Sequence, residues 1–223
     1  MTEPRVKLSA MQVRDAGLAD WRQILGRIKA RFCTGDFRTG LALVNTIGAA
    51  AEAANHHPDI QLTYADVIVT LSSHDVGGIT SRDLDLARQI SSYAAALGIH
   101  SDPSGLTQLE LGLDTALGPQ LASFYAALLG SKVEDGEPVD PSGQVPTVWW
   151  QEPDGDETGA LPEQPFEQRW HFDVWVAEDE AERRLQAVLD AGGRLVSDRA
   201  APAYWVVEDT DGNRSCICTP AGR

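Results

Sequence analysis

The net charge of the chain changes abruptly near its middle. Residues 1–100 contain ten basic and ten acidic side chains, so the entire formal net charge of −15 belongs to residues 101–223. Five of the six tryptophans also lie in the second half, and a turn-rich segment at 98–105 separates the two parts. A length of 223 residues is sufficient for one or two domains. The sequence therefore predicts two domains, at residues 1–100 and 106–223.

The composition excludes several broad classes of protein. All apolar runs are much shorter than the roughly 18–20 residues of a membrane-spanning helix, so no membrane partner is expected. The acidic second half would repel nucleic acid, and the neutral first half would not attract it. The N-terminal residues lack the pattern of a secretory signal, and the three cysteines, Cys33, Cys216 and Cys218, cannot all pair within one chain. We expect a cytoplasmic protein.

An amphipathic helix is predicted over residues 36–54. Asn55 tolerates the left-handed conformation of a helix C-cap, and Pro58 cannot continue a helix, so the helix is expected to end there. The buried face is predicted from apolar or small residues spaced three or four positions apart: Phe37, Leu41, Val44, Gly48 and Ala51.

A strand and a second helix follow. Residues 64–71 are rich in Val, Ile, Thr and Tyr, which is typical of a strand. Thr80 and Asp83 have the spacing of a capping box, in which Asp83 lies at the positive end of the helix dipole. The second helix is predicted to run from there to Leu97, and Gly98 is expected to close it.

Three of the five histidines lie next to these elements. His56 and His57 follow the first helix, whose last turn contains Glu52, and His74 follows the strand. The negative end of a helix favours a protonated imidazole, and Pro58 directs His57 toward extended geometry. Groups that exchange protons near pH 7 suit a reaction that expels hydroxide and removes a proton elsewhere. A solvated helix cap without catalytic function is the alternative interpretation.

The full spacing resembles the motif of the pterin-4a-carbinolamine dehydratases. The sequence reads Glu-x3-His-His-Pro at positions 52–58, followed by Tyr64, His74 and Asp83. The resemblance extends over about residues 10–98. It implies an α+β domain that dehydrates 4a-hydroxytetrahydropterin to the quinonoid dihydropterin, with no metal and no organic cofactor.

The same resemblance implies roles for the motif residues. His56, His57 and His74 would form the catalytic set, in which His56 and His74 handle the departing hydroxyl and the proton transfer. Glu52 and Asp83 would form the substrate-binding set, with Asp83 in a supporting role. His57 and Glu52 would orient the pterin.

Two positions depart from the family pattern. Asn55 stands where an acidic residue is common, and Ile60 stands where some members have a tryptophan. These exchanges remove a carboxylate beside His56 and an aromatic surface for stacking. The expected partners are a pterin substrate and further copies of the chain, in a homo-oligomer that is a dimer or a tetramer.

The second half contains an internal repeat. Two strand–helix units, each with later short strands, are predicted at residues 109–114, 119–129 and 147–151 and at residues 171–176, 179–191 and 204–208. This arrangement resembles the glyoxalase-like, vicinal-oxygen-chelate superfamily, and a turn at 209–213 supports the resemblance. The predicted fold class is α+β: a carbinolamine-dehydratase-like α+β domain followed by a βαβββ-repeat glyoxalase-like domain.

Metal-using members of that superfamily take ligands from the first strand of each repeat and from later strands. The positions that match here hold Glu110 (or Gln108), Gln151, His171 and Cys216. Only Glu110 and His171 are ligands of the usual kind. A set that also contains an amide and a thiol is a poor ligand set for Fe, Mn or Ni, so no metal is predicted.

Two interpretations of the second half remain without a metal. In one, a strand face forms a pocket for a neutral or cationic aromatic ligand. The pocket residues would be Glu110, His171 and Trp175, joined by Asp173 and by Trp149 or Trp150. In the other, these tryptophans form a core that binds nothing.

Two functions other than dehydration are also open. The chain could be a non-catalytic small-molecule-binding or oligomerisation protein, or a metal-dependent lyase or dioxygenase that acts through the second domain. The intact histidine set favours the dehydratase, and the incomplete ligand set disfavours the metal enzyme.

Overall fold

A computed structural model describes residues 5–129, 131–140, 142–143, 145–152, 168–209, 212 and 214–221. The chain divides into two compact units, Met1–Leu106 and Thr107–Gly222. In the described ranges, no helix is both long enough and apolar enough to cross a membrane.

The first unit is a sheet with helices. Its elements are α1 (Ala10–Asp15), β1 (Arg22–Ile24), β2 (Arg27–Cys33), α2 (Phe37–Ala54), β3 (Asp59–Leu62), β4 (Asp66–Leu71), α3 (Ser81–Ala96) and β5 (His100–Ser101). The sheet has the order β1-β2-β4-β3, β5 also pairs with β2, and all pairs are antiparallel.

The core of this unit lies between one face of the sheet and the helices. Along β2, Ile28, Ala30 and Phe32 are buried while the alternate residues are partly or fully exposed, so one face of the strand points into the core. Leu43 and Ile47 of α2 are fully buried against the same cluster. Each such side chain contributes roughly 1.5–3 kcal/mol relative to an exposed one.

The predicted bounds of α2 agree with the structure, but its predicted buried face is wrong. The buried residues are Gly40, Leu43, Ile47, Ala50 and Ala51. Of the predicted set only Ala51 is fully buried; Val44 and Gly48 are half-buried, and Phe37 and Leu41 are 48% and 44% exposed. A Cβ at Gly40 would lie 2.6 Å from Cδ1 of Leu62, so α2 packs closely on β3 at this position.

The remaining predictions for the first unit agree closely with the structure. The strand predicted from Tyr64 begins at Asp66, and Tyr64 is exposed. Thr80 and Asp83 form the predicted capping box of α3, and the helix ends at Ala96 with Gly98 in the left-handed region.

The second unit repeats one order of elements, which confirms the predicted fold class. The first repeat comprises β6 (Thr107–Asp114), α4 (Gly118–Leu129), β7 (Lys132–Glu134), β8 (Glu137–Val139) and β9 (Thr147–Gln151). The second repeat comprises β10 (Trp170–Val176), α5 (Ala181–Asp190), β11 (Arg194–Ser197), β12 (Tyr204–Glu208) and β13 (Arg214–Cys218). The predicted turn at 209–213 lies largely outside the described residues.

The six-stranded sheet of this unit joins the two repeats through their first strands. Its order is β11-β12-β13-β10-β6-β9. In each repeat the first strand is parallel to the last (β6 with β9, β10 with β13), and β6 and β10 pair antiparallel. β7 and β8 form a separate two-stranded sheet.

The two faces of β10 have different surroundings. Val174 and Val176 pack in the cluster that includes Leu185 and Val188 of α5. His171, Asp173 and Trp175 alternate with them, so they lie on the opposite face of the sheet.

Candidate active site

The end of α2 places two neighbouring histidines in different environments. Asn55 adopts the left-handed conformation (φ 46°, ψ 44°), and the amide of His56 donates to the carbonyl of Ala51 at 3.1 Å. This is the hydrogen bond of a Schellman motif, which reverses the chain at the helix terminus. His56 turns inward and is 8% exposed, while His57 stays at the surface.

His56 binds a fully buried carboxylate. Its Nε2 lies 2.8 Å from Oδ1 of Asp83, and the Asp83 side chain has no solvent-accessible surface. An ionised carboxylate only accepts hydrogen bonds, so Nε2 carries the proton and donates. In the neutral ring, Nδ1 then has a lone pair and can accept a proton. The His56 side chain keeps 9% of its surface accessible.

The second oxygen of Asp83 is held by three donors. Oδ2 accepts from Oγ of Ser73 at 2.8 Å, from the amide of Thr80 at 2.7 Å and from Oγ1 of Thr80 at 3.2 Å. The capping box of α3 therefore anchors the same carboxylate that holds His56. The Asp83 side chain is enclosed and holds His56 by a hydrogen bond.

His57 and Glu52 form an accessible pair. His57 Nε2 lies 3.2 Å from Glu52 Oε1, and the two side chains are 55% and 80% exposed. Both groups are therefore available to contact a ligand at the surface near the end of α2.

His74 lies on a different segment that is tied to the same carboxylate. It opens a short 3-10 turn, His74–Val76, and is exposed. Ser73, directly before it, donates to Asp83 and exchanges backbone hydrogen bonds with Gly78. Arg82 hydrogen-bonds to Asp75, the residue after His74, at 2.5 Å and holds the pKa of that carboxyl below its ordinary value.

The structure thus brings four of the predicted site residues into two contacting pairs and links the fifth, His74, only indirectly. His56 contacts Asp83, His57 contacts Glu52, and His74 is connected to the first pair through its neighbour Ser73. The sequence did not predict Ser73 as a site residue. The feature that could have indicated it is a hydroxyl side chain directly before the motif residue His74.

Comparison with known proteins now identifies the family. The family profile described as pterin 4 alpha carbinolamine dehydratase matches residues 6–93. A protein from Thermosynechococcus vestitus, named "Putative pterin-4-alpha-carbinolamine dehydratase", is 40% identical over 90 residues, which are 40% of this chain and 95% of the relative. A protein of the same name from Nocardia farcinica is 44% identical over 77 residues, 34% of this chain and 81% of the relative.

The chain belongs to the pterin-4-alpha-carbinolamine dehydratase family. A solved structure, titled as a transcriptional coactivator/pterin dehydratase from Brucella melitensis, matches 40% of this chain and 99% of its own chain at 28% identity, with a TM-score of 0.39. A second family profile, the glyoxalase-like domain, matches residues 110–218. The chain therefore adds a glyoxalase-like domain to the carbinolamine dehydratase domain.

The predicted pocket residues of the second unit lie on one sheet face and contact one another in pairs. Trp175 Nε1 donates to Glu110 Oε2 at 2.9 Å, and the ring of Trp149 meets that of His171 edge-on at 5.7 Å. His171 and Trp175 are only 4% and 3% exposed, so they present almost no open surface. Trp150, the alternative to Trp149, lies elsewhere, since its ring packs against Tyr125 of α4.

Side-chain contacts are shown for the positions expected from the metal-using glyoxalase-like proteins. Glu110 accepts a hydrogen bond from Trp175, and Gln151 donates to Asp114 at 2.6 Å. The donor atoms of His171 and Cys216 instead lie within 4.8 Å of each other and of Asp173. Asp173 was outside the expected ligand set, although a His-x-Asp sequence on a strand places both side chains on one face. An amide at Gln151 and a thiol at Cys216 do not fit the acidic ligands of the four-position arrangement.

Proposed function

We propose that the first unit dehydrates 4a-hydroxytetrahydropterin to the quinonoid dihydropterin. The observation that carries this proposal is the buried His56–Asp83 pair, which fixes one imidazole beside an accessible His57–Glu52 pair. Membership of the dehydratase family supports it. The chemistry is a loss of water, in which the C4a hydroxyl departs with one proton and a ring N–H gives up another.

His56 and His74 are the proposed proton-transfer groups. Asp83 holds the tautomer and orientation of His56 by binding Nε2, so that Nδ1 exchanges the proton. His74 is exposed on its own turn, where it can reach a substrate from solution. One imidazole protonates the departing hydroxyl, and the other accepts the proton of the ring nitrogen.

His57 and Glu52 are the proposed substrate-orienting groups. The Glu52 carboxylate is 80% exposed and accepts hydrogen bonds only, which suits the N–H groups of a pterin ring. His57 belongs to the predicted catalytic set, and its contact with Glu52 gives it a second task, which is to fix that carboxylate. None of these steps requires a metal ion.

The decisive experiment for this function is a dehydratase assay on the full chain. Enzymatically generated 4a-carbinolamine should lose water faster with the protein than in buffer, and added chelator should leave the rate unchanged. A rate no faster than buffer would refute dehydration. A rate that chelator abolishes would refute proton transfer by histidines alone.

We also propose a homo-oligomer, a dimer or a tetramer, in a reducing cytoplasmic compartment. Phe37 and Leu41 present large apolar surface on one side of α2, and Cys33, Cys216 and Cys218 form no disulfide. Sedimentation velocity of the full chain should give two or four times the monomer mass of 24.1 kDa. Phe37→Asp should shift the population toward monomer, whereas Met11→Asp, at another exposed apolar residue, should not.

A further inference from the structure

The turn that carries His74 is attached on two sides to the first turn of α3. On the buried side, Ser73, the residue before His74, is 1% exposed, and its hydroxyl donates to Oδ2 of Asp83 at 2.8 Å. On the solvent side, Asp75, the residue after His74, accepts a hydrogen bond from Nη2 of Arg82 at 2.5 Å. Arg82 and Asp83 are neighbours in α3. The histidine therefore lies between two points of attachment to the same helix end.

The hydrogen bonds within this turn are weak. They run from the amide of Val76 to the carbonyl of Ser73 at 3.1 Å and from the amide of Gly77 to the carbonyl of His74 at 3.4 Å. Short 3-10 turns have poor hydrogen-bond geometry. The backbone bridge between Ser73 and Gly78 closes the segment at its base only. Because His74 is exposed, its position depends on the side chains that attach the turn to α3.

Arg82 reaches both sides of this attachment. Its Nη2 binds Asp75, and its Nε donates to Oγ1 of Thr80 at 3.4 Å. Oγ1 of Thr80 is in turn 2.8 Å from Oγ of Ser73. The guanidinium is planar and presents its donors in fixed directions, so the second contact limits how far the first can move. The Arg82 side chain is 27% exposed and is therefore partly shielded from solvent.

Arg82 is the principal partner of Asp75. Its hydrogen bond is the largest of the effects that hold the pKa of the Asp75 carboxyl below its ordinary value, so this carboxylate is ionised at neutral pH. Arg5 also faces it, with Nε 3.8 Å from Oδ2, but the Arg5 side chain is 82% exposed, and solvent screens such a contact. Loss of Arg82 should therefore release the outer side of the turn, whereas loss of Arg5 should change little.

We propose that Arg82 is a positioning residue of the dehydration site. Through Asp75 it holds the turn that carries His74, and so it sets where the imidazole meets the substrate. This inference rests on the proposed role of His74 in proton transfer. A displacement of about 1 Å can lower the rate roughly 10²-fold, so a residue that never touches the reacting atoms can still control turnover.

The proposal is tested by the turnover of variants of the full chain. Arg82→Gln should lower kcat for the 4a-carbinolamine roughly 10-fold and leave KM nearly unchanged, because the imidazole of His74 is still present but less well placed. Asp75→Asn should give the same loss, and the double variant should be no slower than either single one, because the two residues act as one pair. The matched control is Arg88→Gln. Arg88 lies on the same helix and pairs with the exposed Asp85 at 3.0 Å, so its loss should leave kcat unchanged.

Two further measurements separate positioning from a general structural role. In the His74→Ala background, Arg82→Gln should cause no further loss of kcat, because no imidazole is left to position. Hydrogen exchange of a peptide that spans residues 72–79 should be faster in Arg82→Gln and unchanged in Arg88→Gln, which tests the attachment without any enzymatic assay. Circular dichroism checks folding, and Asp75→Asn takes the place of an Arg82→Gln variant that does not fold.

The outcomes distinguish this inference from the proposed function. Equal kcat in Arg82→Gln and Arg88→Gln, or an undiminished further loss in the His74→Ala background, would overturn the role of Arg82 and leave dehydration standing. A wild type that does not accelerate dehydration would refute the proposed function. Unchanged hydrogen exchange in Arg82→Gln would refute the attachment itself.

Discussion

His74→Ala should lower the turnover of the 4a-carbinolamine by roughly 10²-fold or more, the ordinary cost of losing a general acid or base. His74 is exposed at the start of its turn, so its removal leaves no buried gap and no broken core contact. The thermal stability of the variant should therefore stay within about 0.5 kcal/mol of the wild type. The variant should therefore lose turnover without losing stability, which is the result expected for a residue that takes part in the chemical step.

The matched control is His100→Ala. His100 is an exposed histidine of the same unit, on β5, and it has no place in the proposed site. Turnover is measured on the full chain by following dihydropterin absorbance at several pH values. If His74→Ala turns over the substrate as fast as His100→Ala does, His74 has no part in the mechanism.

Asp83→Ala is expected to give the largest loss of stability. It removes the acceptor for His56, Ser73 and Thr80 at a position without solvent access, so several buried donors lose their partner together. Breaking a buried charged pair typically costs about 3–5 kcal/mol. For a unit of this size the melting temperature should fall by roughly 12 °C or more. Activity should fall too, because His56 loses its orientation.

The control for this variant is Asp85→Ala on the same helix. Asp85 is exposed and pairs with Arg88 at 3.0 Å, so its loss should cost less than about 1 kcal/mol. Urea unfolding of the full chain, followed by pulsed hydrogen exchange on peptides from 81–96, reports the first unit separately from the second. Equal stabilities of the Asp83 and Asp85 variants would contradict the proposed network.

The elements with local signals were predictable from the sequence. The strands 147–151 and 204–208 have the predicted bounds, and Asn55 and the Thr80 capping box act as their residue types indicate. These features depend on neighbouring residues alone. The buried face of α2 was not predictable in this way, because the helix has apolar residues on two faces and its own sequence does not decide which face meets the sheet.

The site residues were predictable only where a motif linked distant segments. The 27-residue separation of His56 and Asp83 followed from the family resemblance, since no local rule pairs them. The meeting of Asp173 with Cys216 depends on the register of two parallel strands, which their sequences do not specify. Ser73 was not predicted either, because its partner Asp83 lies ten residues away on another element and no local pattern links the two.

The Asp83 carboxylate serves both the capping box of α3 and His56. A capping box ordinarily uses Glu or Gln at the position that Asp83 occupies, so a change to Glu would suit the helix. The extra methylene would have to enter a space without accessible surface and would move the oxygen away from His56. Helix capping and histidine placement therefore demand different side-chain lengths at this position, and the shorter Asp is the residue that serves both.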